Sequence, residues 1–281
     1  MSDTPHCYRH PDRETRVSCS ECGRPICEDC MTFAPVGIRC PDHASVGAAA
    51  PGPVRTVRTV RRRAGAVAAP ATTALVGINV LVYLITVAQG FGIDNPGGKL
   101  FSDWVLVGVL VDQGDWWRLV TAMFLHAGIL HLAFNMLALY WLGSIVERAL
   151  GTPRYLLLYF VSGIAGSAGA LVFSSPLALT VGASGAIFGV MGALLILEYR
   201  ATGSLAGQAM MLIVLNLAIT FAVPGISKGG HLGGLLGGIL ATLAFEEGRR
   251  RRVPALGPVL VIAVGIASLA VAYLRVTGYT L

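Results

Sequence analysis

Seven apolar runs follow one another along this chain, at about 73–88, 131–146, 155–173, 184–197, 210–222, 230–245 and 256–274. A helix needs about 20 apolar residues to cross a bilayer, and several of these runs approach or reach that length. In lipid every backbone polar group must be satisfied within the protein, which leaves helices as the structure for such runs. The composition agrees: 54% of the residues are hydrophobic and only 13% are charged. The pattern predicts an all-α polytopic membrane protein with a small polar front end. The net charge of +6 gives no reason to expect nucleic acid. Most basic residues flank apolar runs, where the orientation rule accounts for them. The first residues are polar and cysteine-containing, so no cleavable signal peptide is expected.

The basic residues also set the expected orientation. Arg61 to Arg63, Arg148, Arg154, Arg200 and Arg249 to Arg252 fall on one side of an alternating seven-span arrangement. Lys99, Arg118, Lys228 and Arg275 fall on the other. The positive-inside rule then places the amino terminus in the cytoplasm and the carboxyl terminus outside. Between the first two spans, 90–117 is too long for a simple turn and holds Trp104, Trp116 and Trp117. Such a stretch is expected to lie at the interface.

All six cysteines lie between Cys7 and Cys40. With two histidines they form four pairs of one pattern: Cys7-x-x-His10, Cys19-x-x-Cys22, Cys27-x-x-Cys30 and Cys40-x-x-His43. Thiolate and imidazole at that spacing suit tetrahedral Zn²⁺, and eight ligands make two structural sites. A cross-braced pairing would group Cys7, His10, Cys27 and Cys30, then Cys19, Cys22, Cys40 and His43; spacing alone leaves the pairing open. A disulfide framework is the alternative, and a cytosolic location speaks against it. The order of ligands resembles a B-box-type zinc finger. The expected domains are a zinc-binding module at 1–44, a basic flexible linker at 45–71 with Arg55, Arg58 and Arg61 to Arg63, a six-span core at 72–245, and a basic loop with a seventh span at 246–281.

Ionisable side chains inside apolar runs are costly and usually functional. Ser184 lies in the run Gly182-Ala183-Ser184-Gly185-Ala186-Ile187-Phe188-Gly189, and His231 begins His231-Leu232-Gly233-Gly234-Leu235-Leu236-Gly237-Gly238. In the seven-span arrangement both sit at the outer starts of their helices. A serine is a weak nucleophile until a base takes its proton, and histidine is the usual base. Gly185 and Gly189, and Gly234 and Gly238, are four apart and allow close helix approach. No acidic residue lies near His231 in sequence, so a dyad is predicted. Phe188, one turn after Ser184, is placed to stack on His231; the alternative is a lipid-facing or core phenylalanine. His131 and Asn135, with the Ser184 N–H, are candidate oxyanion donors. Asn135 is equally suited to bonding helices together. His126 is expected nearer the surface, bonding within the outer loop or positioning a water.

Together these motifs resemble the rhomboid family of intramembrane serine proteases. The match rests on Trp117-Arg118, His126-Ala127-x-x-x-His131-x-x-x-Asn135, Glu147-Arg148 with Gly151, Gly182-x-Ser184-Gly185-x-x-Phe188-Gly189, and His231-x-x-Gly234-x-x-x-Gly238. It covers about 72–245. The resemblance implies a six-helix rhomboid core with Ser184 as nucleophile and His231 as base. It also implies a water-filled cavity open to the outside, no catalytic cofactor, and substrates that are single transmembrane segments. Phe188 stands where many members have tyrosine, and Gly230 where alanine is frequent. The competing reading is an inactive rhomboid-like binder of transmembrane segments, which would have lost the serine or the histidine. A transporter would show inverted repeats, and none is evident. The expected partners are transmembrane substrates, the bilayer of the plasma membrane, and a cytosolic protein for the zinc module, whose alternative role is a structural or regulatory cap.

Overall fold

The computed structural model describes residues 4–33, 37–43 and 69–277. They fall into two compact units, one within 1–66 and one within 67–281. The arginines expected of a linker, Arg55, Arg58, Arg61, Arg62 and Arg63, lie outside the described residues, as do the last four residues of the chain.

The small unit has two antiparallel ribbons. β1 (His6–Cys7) pairs with β2 (His10–Glu14), and β3 (Thr32–Phe33) pairs with β4 (Ile38–Arg39). Its buried centre consists of Ile26 and five of the six cysteines. So little apolar surface cannot offset the entropy of ordering the chain, and a unit of this size needs cross-linking or metal.

The large unit is helical. Its long helices are α1 (Pro70–Gln89), α5 (Ile129–Leu150), α6 (Thr152–Phe173), α7 (Ser184–Thr202), α8 (Gln208–Ala222), α9 (Lys228–Arg250) and α10 (Leu256–Val276). Short helices α2 (Gly98–Trp104), α3 (Gly108–Asp112) and α4 (Arg118–Thr121) lie between α1 and α5. Among the described residues, five helices, α1, α5, α6, α7 and α10, are long and apolar enough to cross a membrane. α8 has only 15 residues, and α9 is glycine-rich with a charged end. α5 widens into one π turn at Leu139–Gly143.

Three boundaries differ from the sequence expectation, two of them because a charge finds a partner. Glu147 and Arg148 belong to α5 rather than to a loop. The Glu147 carboxylate accepts hydrogen bonds from the Ala71 N–H, the Thr72 N–H and hydroxyl, and the Thr152 hydroxyl, at 2.7–3.0 Å. It thereby satisfies N–H groups that the first turn of α1 leaves open. Glu246 and Glu247 do not end α9, because Glu246 pairs with Arg200 and Arg249, and Glu247 with Arg250 and Arg251. α7 continues to Thr202 and stops at Gly203, whose φ of +72° is the left-handed conformation of a helix C-terminus.

The stretch after α1 also differs from a single interfacial element. It is three short helices stapled to the core. Arg118 is buried; its guanidinium donates to the Ser102 and Val105 carbonyls at 2.7 and 2.9 Å and pairs with Asp115 at 2.8 Å. Leu106 pairs as an isolated bridge with Thr180, and the Gly182 N–H donates to the Ala122 carbonyl at 2.9 Å. These bonds fix the backbone that leads into Ser184.

α6, α7 and α9 pack backbone against backbone. A Cβ at Gly166 would lie 2.9 Å from the Gly230 carbonyl oxygen, and one at Gly229 would collide with the Gly169 carbonyl. Side chains at Gly234 and Gly238 would likewise strike the carbonyl oxygens of Gly185 and Gly189. α9 therefore presents Gly229 and Gly233 to α6 and Gly234 and Gly238 to α7.

Candidate active site

Ser184 is the first residue of α7, and His231 lies in the first turn of α9. Ser227 caps α9 by accepting the Gly230 N–H at 3.1 Å, and the His231 N–H donates to the Ser227 carbonyl, also at 3.1 Å. Because α7 and α9 touch through glycines, the two side chains meet. Ser184 Oγ lies 2.8 Å from His231 Nε2. The Phe188 ring stacks on the imidazole with centroids 4.1 Å apart and planes 19° from parallel. Phe188 is also buried in the hydrophobic core, so it both packs there and stacks on His231.

His131 and Asn135 lie on α5 and face the same cavity, whose volume is about 1690 Å³. The Ala127 N–H donates to His131 Nδ1 at 3.3 Å. A neutral His131 accepting there carries its proton on Nε2. Gly182 has a φ of +124°, open to glycine, and the space a side chain would fill there lies 2.8 Å from His131 Nε2 and 3.6 Å from Ser184 Oγ. A side chain there would crowd the His131 ring, so glycine keeps His131 Nε2 open beside Ser184. Asn135 donates one of its amide hydrogens to the His131 carbonyl at 2.8 Å, which leaves the second for the cavity. The Ser184 N–H, at the start of a helix, has no carbonyl a turn below it.

His126 lies just before α5. Its ring is fully buried and packs edge-on against His131 at 5.0 Å. Burial pushes its pKa down to about 3, so the ring is neutral.

One contact was not anticipated. Thr220 of α8 is fully buried, and its Oγ1 lies 2.7 Å from His231 Nδ1. The only signal in the sequence is that Asn216 and Thr220, four apart, are the two polar residues in the run 210–222.

The cavity is lined largely by apolar side chains, among them Phe134 and Trp141 from α5 and Met211 and Ile219 from α8. An apolar cavity with a few convergent polar groups is the usual form of a binding site.

In the small unit, the ligand atoms of Cys7, His10, Cys27 and Cys30 converge, as do those of Cys19, Cys22, Cys40 and His43, within 4.8 Å of one another in each set. A tetrahedral zinc would hold two sulfurs about 3.8 Å apart and a sulfur and nitrogen about 3.6 Å apart. The observed separations fit: Cys27 and Cys30 Sγ lie 3.3 and 3.4 Å from His10 Nδ1, and Cys40 Sγ lies 3.2 Å from His43 Nδ1 and 3.8 Å from Cys22 Sγ. These groups are able to bind zinc.

The Rhomboid domain family matches residues 113–247. Among similar proteins, the rhomboid protease GluP of Bacillus subtilis (strain 168) is 44% identical over 173 residues, which is 59% of this chain and 32% of GluP. YdcA of the same organism, named for the same family, is 37% identical over 146 residues, 50% of this chain and 73% of YdcA. RHOMBOID-like protein 5 of Arabidopsis thaliana is 38% identical over 134 residues, 44% of this chain and 42% of that protein. The chain thus spans about a third of GluP and nearly three quarters of YdcA.

Proposed function

This chain belongs to the rhomboid family, and from that premise we propose that it is an intramembrane serine endopeptidase acting through Ser184 and His231. The observation that carries this reading is the 2.8 Å contact between Ser184 Oγ and His231 Nε2 beside an apolar cavity.

The chemistry follows from the geometry. Ser184 Oγ attacks the scissile carbonyl as His231 Nε2 takes its proton. The developing oxyanion occupies the space beside Gly182, where His131 Nε2–H, the free Asn135 amide hydrogen and the Ser184 N–H are available as donors. When the intermediate collapses, the imidazolium gives its proton to the leaving amine and the acyl group stays on Ser184. A water activated by the same nitrogen then attacks the ester, and Ser184 regains its proton. Phe188 holds the imidazole plane throughout. His126 supports His131 by packing, and Gly185, Gly234 and Gly238 bring the two helices together. No cofactor takes part.

A transmembrane segment is the substrate that suits an apolar cavity lined by α5 and α8. The seven long helices are read as seven spans: a six-helix core at 72–245 and a seventh after it. The amino terminus is read as cytoplasmic and the carboxyl terminus as outside, in the plasma membrane. At 1–44 we read a zinc-binding module with two structural ions, paired as the convergent sets suggest, that recruits a cytosolic protein. The inactive-binder reading is disfavoured by the hydrogen-bonded serine and histidine.

The test is cleavage of a transmembrane substrate in liposomes. Ser184→Ala and His231→Ala should each remove nearly all turnover, since the two act as one unit. Cleavage retained in either variant would overturn the dyad.

A further inference from the structure

Both ring nitrogens of His231 are engaged. Nε2 faces Ser184 Oγ at 2.8 Å, and Nδ1 faces Thr220 Oγ1 at 2.7 Å. Thr220 has one hydroxyl hydrogen, and it donates that hydrogen to the Asn216 carbonyl, one turn earlier in α8, at 2.6 Å. A hydroxyl whose hydrogen is already committed meets a second polar atom only as an acceptor. Nδ1 must therefore carry the hydrogen of neutral His231, and Nε2 is left with a lone pair aimed at the Ser184 hydroxyl.

We propose that Thr220 is a positioning residue that fixes His231 in the one tautomer able to take the proton of Ser184. The inference rests on the reading of His231 as base. It deepens that reading by supplying a third member from a helix that contributes neither reacting group. The chain runs Ser184 Oγ–H to His231 Nε2, His231 Nδ1–H to Thr220 Oγ1, and Thr220 Oγ1–H to the Asn216 carbonyl. In a triad an aspartate holds the tautomer. Here the acceptor is neutral, which suits a buried site where an unpaired carboxylate is expensive. The imidazolium formed during attack keeps the same bond, so Thr220 also stabilises the charge that develops on the ring. Because Thr220 stands on α8, the base is correctly set only while that end of α8 is seated against His231.

The experiment compares Thr220→Val and Thr220→Ser with wild type in liposomes, with kcat and KM measured separately on a transmembrane substrate. Valine keeps the shape and removes the acceptor, and serine restores it. Losing the partner of a buried donor should lower kcat about 10-fold or more in Thr220→Val, with KM nearly unchanged. Thr220→Ser should return kcat to near wild type. Turnover of Thr220→Val within twofold of wild type would overturn the proposal, as would failure of serine to rescue. A measurement on unmutated protein removes any dependence on folding of the variants. In [¹⁵N]histidine-labelled protein at neutral pH, His231 should show a protonated Nδ1 and an unprotonated Nε2. The opposite tautomer, or an even mixture, would overturn the proposal. Ser184→Ala separates the two levels: if it still cleaves, the dyad fails, while the ring tautomer still decides the role of Thr220.

Discussion

α9 carries His231 and α8 bonds to its ring, and the two helices are held in opposite ways. α9 is locked by its backbone. Its glycines lie against carbonyl oxygens of α6 and α7, and eleven of its residues are buried. α8 buries only Ala209, Ile213 and Thr220. It is tied at its ends by polar groups: the Glu198 carboxylate accepts the Gln208 and Ala209 N–H groups at 2.9 and 2.8 Å, and Thr220 reaches His231. The difference divides the labour. Backbone contact sets the distance between Ser184 and His231 with little freedom, because cores packed this tightly do not deform gradually. α8, which lines the cavity, is held by a few bonds and little buried surface. The small unit is a third case. It has almost no packed core, and the convergent thiolates and imidazoles take its place.

The sharpest way to break the comparison is to add side chains where α9 meets α7. Gly234→Val and Gly238→Val place methyl groups against the Gly185 and Gly189 carbonyls, and backbone cannot yield as a side-chain tip does. Each variant should lose at least about 3 kcal/mol of stability and all cleavage, read by thermal unfolding in detergent. A melting temperature within a few degrees of wild type would show that the helices are not locked. Next comes metal removal. The protein should hold two zinc ions per chain, and chelation should unfold the small unit, since structural zinc sites in small modules supply about 10–16 kcal/mol. The check is metal content with thiol reactivity before and after chelation; cysteines equally protected without metal would contradict it. A smaller effect is expected at Phe188. Phe188→Leu removes the stack on His231 and should lower kcat roughly 3- to 10-fold, from about 0.5–1.5 kcal/mol for an aromatic pair. The smallest is Glu198→Gln, which weakens a charge-assisted tether at the end of α7 opposite Ser184. Although Glu198 lines the far end of the cavity, the variant should leave turnover within about threefold while hydrogen exchange quickens at Gln208 and Ala209. Unchanged exchange there would remove the contrast between α8 and α9.

Much of this arrangement was legible in the sequence, for physical reasons. Apolar runs of membrane length announce helices, and four-residue glycine spacing announces the faces on which they approach. Ser184, His231, His131 and Asn135 drew notice because polar side chains in apolar runs are costly. The ends of α5 and α9 were harder. Glu147 and Glu246 read as loop residues because the partners that neutralise them, the start of α1 and Arg200, are remote in sequence. The fold of 90–117 depends on Arg118 and its three tertiary partners. Thr220 carried no charge and no motif, and its meaning appears only when α8 stands beside His231.

The most direct test of the account is covalent. A fluorophosphonate that mimics an acyl substrate should label Ser184 and no other serine, as read by peptide mass, and His231→Ala should abolish that labelling. Adduct formation at another serine, or labelling of Ser184 undiminished without His231, would contradict the claim that these two residues form the catalytic unit.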